Sequence, residues 1–155
     1  MNDKRSLQDI YAPKSICFGC GPLNENGLKI KSYKYKNGLR MSFHPKKEHQ
    51  AFPGVLNGGI IGTLFDCHGN WTAAMSIFES NNQKQFPATV TAFFEVQLLK
   101  PTPVDTKIEI FSQIITSSKN KAKVELELFS KNDICAKSIG VFVSVKEGHP
   151  AFYRW

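Results

Sequence analysis

Apolar and polar residues alternate with a period of two in several stretches of the chain, which is typical of β-strands with one face in water. The stretch LKIKSYKYK over 28–36 is followed by Asn37-Gly38, a strong hairpin signal, and then by LRMSFHP as the returning strand. Four more strands are predicted near the end of the chain, at 89–99, 107–115, 121–130 and 135–145. The clean alternation of AKVELEL predicts a sheet that packs its apolar face on another element.

The period changes after Asn57, where apolar residues recur at spacings near three and four. This pattern predicts a helix over 58–78, about 30 Å long. Asn57 is among the preferred N-cap residues, which supports the start of the helix. The apolar positions that define the helix are Ile60, Ile61, Leu64, Phe65, Trp71 and Met75.

These elements together predict an α+β fold, in which a curved antiparallel sheet of about six strands wraps around one long central helix. We expect a single domain over 1–155, with an irregular lead-in over 1–27 that is rich in turn-forming residues. The tail over 146–155 contains EGHPAFYRW and is too aromatic to be simply disordered, so we expect it to dock on the surface.

Composition and charge narrow the class of protein. The chain is 41% hydrophobic and 21% charged, which is ordinary for a globular domain. No run of about 18 apolar residues is present and the first residues lack an apolar signal core, so we expect a cytoplasmic protein without a membrane partner. The net charge of +7 suits an anionic partner, but the lysines are scattered, so we expect no nucleic-acid partner.

The chain has four cysteines: Cys17, Cys20, Cys67 and Cys135. The Cys17-x-x-Cys20 pair has the spacing of half a zinc site or of a redox pair. A second such pair, or a Cys/His pair at ligand spacing, is missing from the sequence. We therefore expect reduced structural thiols and no metal site.

Asp66 stands inside the apolar helical run FPGVLNGGIIGTLFDCHGNWTAA, where a buried carboxylate costs free energy unless it is paired or used. Gly58 and Gly59 open the same helix, where free N–H groups suit a developing oxyanion and no Cβ blocks a ligand. A plain cap, with glycines that allow a close crossing, is the alternative interpretation.

Asp66 lies seven residues after Gly59, about 10 to 12 Å along the helix axis. This separation is too long for one helix to supply both groups to the same reacting atom. A site that uses both groups must therefore lie between two subunits, with two equivalent sites in a twofold dimer.

The motif GVLNGGIIGTLFD closely resembles that of PaaI-like hotdog-fold acyl-CoA thioesterases of the phenylacetate-pathway type. The lead-in CFGCGPLNENGLKI and the strand TVTAFFEVQLLKPTP resemble the same group, so the resemblance covers about 15–145. It implies the hotdog fold, a homodimer or a dimer of dimers (a homotetramer), and coenzyme A as part of the substrate, with no separate cofactor and no metal.

The resemblance also implies roles for individual residues. Asp66 matches the general base or nucleophile, Gly58 matches the N–H donor to the thioester carbonyl, and Gly59 lies beside it. Thr91 matches a hydroxyl near the acid, and Gln50 matches a polar residue ahead of the Pro-Gly turn. Asn57 replaces the usual histidine of the family and is expected to orient the helix start. Two further residues are candidates for substrate binding: Asn70, on the face of Asp66, and Lys100, for the phosphates of coenzyme A.

Hydrolysis of an acyl-CoA thioester is therefore the predicted activity. A non-catalytic acyl-CoA-binding hotdog module is the alternative, and a dehydratase ranks last because it needs a histidine beside the acid. His68 lies about 200° around the helix from Asp66, so we expect a core or interface histidine and no dyad. Cys67 is expected to be a structural thiol.

Overall fold

A computed structural model of the chain describes residues 4–155. Within these residues the chain forms two α-helices, one short 3₁₀ helix at Lys47–His49 and eight strands. The helices are α1 (Leu7–Tyr11) and α2 (Gly58–Ser80), and the strands are β1 (Tyr33–Tyr35), β2 (Gly38–Phe43), β3 (Gln50–Phe52), β4 (Val55–Leu56), β5 (Thr89–Leu98), β6 (Ile108–Ser117), β7 (Lys121–Ser130) and β8 (Asp133–Ser144).

Six strands form one antiparallel sheet in the order β1-β2-β6-β7-β8-β5. Strand β7 buries alternate residues, from Ala122 to Leu128, as the sequence pattern predicts. Strand β5 lies at one edge of the sheet, and its ladder with β8 shifts register between Thr91 and Phe93. The predicted six-stranded sheet around one long helix is confirmed.

Helix α2 packs on the sheet, mainly against β5, β6, β7 and β8. It begins where the sequence predicts, after Asn57, and it ends two residues later than predicted. Gly69 marks a close crossing, because a Cβ there would lie 2.7 Å from a ring carbon of Phe142 on β8. The helix is buried along most of its length between Ile61 and Ile77, so it forms the centre of the core.

Three local predictions are wrong. The strand predicted over 28–36 is reduced to β1, because Leu28 and Ile30 donate their N–H groups to the carbonyls of Phe18 and Gly19 rather than to the sheet. The lead-in predicted as irregular contains helix α1, which Ser6 caps. The predicted loop before α2 contains the β3–β4 hairpin, whose turn places Gly54 at a φ of 84°. Residues 1–3 of the lead-in lie outside the described residues.

The aromatic tail docks on helix α2 and on the segment that leads into β5. The ring centroids of Trp155 and Trp71 lie 4.4 Å apart. The Trp155 indole N–H donates to the Pro87 carbonyl at 2.8 Å. Arg154 donates to the Thr89 carbonyl at 2.8 Å. The tail is therefore held close to the middle of α2.

None of the helices within residues 4–155 has the length and apolarity required to cross a membrane.

Candidate active site

The start of α2 offers one backbone donor to a ligand. The Asn57 side chain accepts hydrogen bonds from the N–H groups of Gly59 at 2.8 Å and Ile60 at 3.2 Å. Within the described chain, the N–H of Gly58 meets no acceptor. Asn57 therefore orients the helix start as expected, while the predicted pair of glycine donors is reduced to Gly58 alone.

The β3–β4 hairpin leads directly into this helix start. The Asn57 N–H donates to the carbonyl of His49 at 2.9 Å, which places Gln50 close by in the chain. The Gln50 amide accepts from Gly54 N–H at 2.7 Å and donates to the Lys47 carbonyl at 2.8 Å. Gln50 thus braces the turn ahead of the helix, and its side-chain oxygen and nitrogen are both engaged there.

Asp66 lies two turns further along α2 and faces strand β5. Its Oδ1 accepts a hydrogen bond from the Thr91 hydroxyl at 2.5 Å, which fixes the orientation of the carboxylate. The other oxygen, Oδ2, has no hydrogen-bond partner among residues 4–155, and the side chain is only partly buried. The sequence-predicted pairing of Asp66 with Thr91 is present.

Burial and the neighbouring groups shift the pKa of Asp66 in opposite directions. Burial raises the pKa of this carboxyl above its ordinary value, because leaving water penalises the charged form. The Thr91 hydrogen bond and the charge of Arg154 act in the opposite direction, and the Cys17 sulfur raises the pKa further. Sequence reasoning missed Arg154, since nothing in the sequence links the last turn of the tail to the middle of α2.

A second polar pair lies one helical turn beyond Asp66. Asn70 is buried, and its side-chain oxygen accepts a hydrogen bond from the Thr89 hydroxyl. Asp66 and Asn70 are four residues apart on α2, and their partners Thr91 and Thr89 are two apart on β5, so the two bonds form a ladder between helix and strand. The Asn70 oxygen is engaged in this ladder and does not contact Asp66.

Lys100 is not part of this arrangement. Its ammonium group is exposed and lies 2.9 Å from the carboxylate of Asp133. The structure shows no contact between Lys100 and Asp66 or Thr91.

His68 is a core residue, as predicted. It is fully buried, and its ring nitrogens Nδ1 and Nε2 lie 2.8 Å from Ser32 Oγ and 3.4 Å from Ser112 Oγ. Burial lowers the pKa of His68 to about 3, so the ring is neutral near pH 7. Both nitrogens face hydroxyl groups away from Asp66, and no catalytic dyad forms.

A cavity of about 730 Å³ lies between α1, β1 and β2, and its lining includes none of Asp66, Gly58 and Thr91. Strand β5, which borders both parts of the candidate site, carries exposed apolar side chains at the edge of the sheet: Phe93, Phe94 and Leu98. An exposed apolar edge of this kind is typical of an interaction surface.

Comparison with solved structures places the chain in a family. A thioesterase superfamily protein from Shewanella loihica PV-4 is 31% identical, with a TM-score of 0.70, and the match covers 90% of this chain and 100% of that one. The chain belongs to the thioesterase superfamily. The predicted resemblance to PaaI-like hotdog thioesterases is thereby confirmed at the level of family and fold.

More distantly similar solved structures share the fold. The E. coli PaaI protein from the phenylacetic acid degradation operon is 13% identical, with a TM-score of 0.65, over 77% of this chain and 81% of that one. The smu.793 protein from Streptococcus mutans UA159, whose structure has acetyl-CoA bound, is 14% identical. Its TM-score is 0.62, and the match covers 75% of this chain and 88% of that one. No family model and no curated protein matches the sequence.

Proposed function

We propose that this thioesterase-superfamily protein hydrolyses an acyl-CoA thioester to the free carboxylic acid and coenzyme A. The observation that carries the proposal is the Asp66 carboxylate, partly buried and held by Thr91 with one oxygen free, in a chain of this superfamily. The coenzyme A is part of the substrate, and the proposed reaction requires no separate cofactor.

The proposed chemistry uses the free Oδ2 of Asp66 and the N–H of Gly58. Asp66 takes a proton from a water molecule, whose oxygen attacks the thioester carbonyl carbon, or Asp66 attacks that carbon directly. Gly58 donates to the carbonyl oxygen, where negative charge develops in the tetrahedral intermediate. In the first route the carbon–sulfur bond then breaks, and the leaving thiolate of coenzyme A takes up the proton held by Asp66. In the second route the thiolate leaves an acyl–Asp66 anhydride, and water hydrolyses this anhydride to the free acid, restores Asp66 and supplies the proton to the thiolate.

The site is proposed to lie between two copies of the chain. Seven residues of helix separate Gly59 from Asp66, about 10 to 12 Å, so the two groups of one protomer do not reach the same carbonyl. The apolar edge strand β5 borders both groups, and its exposed Phe93, Phe94 and Leu98 give a second copy a surface to cover. We place the dimer interface along this edge.

Replacement of Asp66 by asparagine tests the catalytic assignment. Thiol release from a panel of acyl-CoA substrates is measured for the wild type, for Asp66→Asn and for Glu79→Gln, which removes an exposed carboxylate from the same helix. We expect Asp66→Asn to lower kcat by about 10² to 10⁴-fold, the usual contribution of a general base, and Glu79→Gln to retain the wild-type rate. Full activity in Asp66→Asn would remove this residue from the mechanism.

The same panel separates the enzyme from a non-catalytic acyl-CoA-binding module. A binding module would show saturable binding of acyl-CoA by calorimetry with no thiol release at any chain length. Turnover by the wild type, together with its loss in Asp66→Asn, supports the hydrolase.

A further inference from the structure

Three of the four cysteines meet in space, although they are distant in the sequence. The Sγ atoms of Cys17, Cys20 and Cys67 all lie within 4.8 Å of one another. Cys17 and Cys20 come from the lead-in loop, and Cys67 comes from the middle of α2. The sequence predicts no metal here because no second pair of ligands lies at ligand spacing along the chain, whereas the fold brings Cys67 to the Cys17–Cys20 pair.

The spacing of the sulfurs matches a metal centre. A Zn²⁺–thiolate bond is about 2.3 Å long, so two thiolates on one tetrahedral zinc ion lie about 3.8 Å apart. The Sγ atoms of Cys17 and Cys67 are 3.9 Å apart, and the remaining separations are below 4.8 Å. Adjustments of about an ångström in side-chain position complete three bonds to one ion.

The loop that carries Cys17 and Cys20 is a tight turn held by backbone hydrogen bonds. The Gly21 N–H closes the turn by donating to the Cys17 carbonyl at 2.8 Å. The N–H groups of Leu28 and Ile30 donate to the carbonyls of Phe18 and Gly19 within the same turn. The turn therefore holds the sulfurs of Cys17 and Cys20 close to that of Cys67.

The packing around the sulfurs of Cys20 and Cys67 also supports a metal site. A Cβ on Gly19 would lie 2.3 Å from the Cys67 Sγ, so the glycine leaves the space that lets this sulfur approach the loop. The Trp71 indole N–H donates to the Cys20 Sγ at 3.3 Å, and hydrogen bonds of this kind orient metal ligands. Cys20 and Cys67 are buried and Cys17 is half-buried, so the cluster opens to solvent at Cys17.

We propose that Cys17, Cys20 and Cys67 form a binding site for one Zn²⁺ ion, with a water molecule as the fourth ligand on the side of Cys17. Binding replaces the three thiol protons with three zinc–sulfur bonds, and the protons pass to solvent. The ion would fasten the lead-in loop to α2 next to Asp66. This inference concerns the metal alone and does not depend on the proposed hydrolase activity.

Metal content and a cobalt spectrum test the site on the full-length protein. The protein is stripped with a chelator under reducing conditions, incubated with excess ZnCl₂ and passed through a desalting column, and bound zinc is measured by mass spectrometry. In parallel, CoCl₂ titration follows the near-ultraviolet absorption that thiolate-to-Co²⁺ charge transfer produces. We expect about one metal ion per chain and a charge-transfer band of a tetrahedral thiolate site.

Zinc content and the cobalt spectrum are compared between the wild type and three variants: Cys17→Ser, Cys20→Ser and Cys135→Ser. Cys135 is also a buried free thiol but lies outside the cluster, so its replacement is the matched control. We expect Cys135→Ser to keep one zinc ion, and the two cluster variants to lose it together with the cobalt band. Cys17 is the least buried of the three cluster cysteines, so Cys17→Ser carries the test if Cys20→Ser fails to fold by circular dichroism. Zinc well below one equivalent in the wild type, or unchanged binding in Cys17→Ser, overturns the proposal.

Discussion

At the scale of single residues, the candidate site depends on one hydrogen bond between helix and strand. Thr91 donates a hydrogen bond to Asp66 Oδ1 at 2.5 Å, and Oδ2 has no hydrogen-bond partner among residues 4–155. Asn57 has a comparable role at the helix start, because its side-chain oxygen engages the N–H of Gly59 and leaves that of Gly58 free. In both places a neutral polar side chain decides which atom of its neighbour remains available to a substrate.

The first prediction follows from the Thr91 hydroxyl. Thr91→Val keeps the size and the β-branched shape of the side chain but removes the donor. A hydrogen bond to a charged group contributes about 1.5 to 3 kcal/mol, so we expect kcat/KM for thioester hydrolysis to fall by about tenfold or more. Thr91→Ser restores a hydroxyl and should recover most of the rate. A Thr91→Val enzyme as active as the wild type would show that the bond has no part in orienting Asp66.

At the scale of elements, α2 serves both the core and the site. Its buried residues run from Ile61 to Ile77, while Gly58 and Asp66 remain partly exposed towards β5. The helix passes closest to the sheet at Gly69, where the Phe142 ring occupies the space that a side chain would need. This contact fixes how the helix lies on the sheet, and therefore where Asp66 meets β5.

The second prediction compares two glycines of α2. Gly69→Ala places a Cβ 2.7 Å from the Phe142 ring, so we expect it to lower the free energy of unfolding by about 1 to 3 kcal/mol. At Gly62 the nearest atom to a new Cβ is 3.9 Å away, so Gly62→Ala should leave stability unchanged or raise it through helix propensity. Denaturant unfolding monitored by circular dichroism measures both, and equal effects of the two substitutions would contradict the packing argument.

At the scale of the whole molecule, the proposed site exists only if two copies meet. The helix tip, Asp66 and the apolar edge strand β5 face outward in one protomer, and a second copy along that edge would cover all three. The same arrangement accounts for the exposed Phe93 and Phe94, which one protomer leaves in water at considerable cost in hydrophobic free energy.

The third prediction tests this arrangement by mixing two inactive variants. Gly58→Pro removes the N–H donor at the first helical position, where proline is tolerated, and the φ of −62° and ψ of 133° at Asn57 suit a residue before proline. We expect Gly58→Pro to lower kcat by about 10² to 10³-fold, as for loss of an oxyanion donor, while Gly58→Ala, which keeps the N–H and adds only a Cβ, should lose less activity than Gly58→Pro.

Subunit exchange between Gly58→Pro and Asp66→Asn should then recover activity. A mixed dimer has one site with an intact Asp66 from one protomer and an intact Gly58 from the other, so random exchange at equal amounts should restore about a quarter of the wild-type rate. If both groups act within one protomer, the mixture stays as inactive as the two variants. Sedimentation measurements on the same samples establish that dimers are present.

The sequence by itself determined the elements whose physics is local. The period-two and period-3.6 patterns predict the main strands and the helix, and Asn57 predicts the helix start. Asp66 is a candidate because a carboxylate in an apolar run has to be used or paired. The family motif then connected these residues to thioester chemistry. All of this depends on neighbours in the chain, which is why one sequence was sufficient.

Only the tertiary structure decided which distant groups meet. Three features join segments that are far apart in the sequence. They are the hydrogen bonds that hold 28–30 away from the sheet, the position of Arg154 near Asp66, and the contact of Cys67 with Cys17 and Cys20. Such contacts are set by how the helix, loop and tail pack, and packing depends on shape in three dimensions, which periodicity along the chain does not carry.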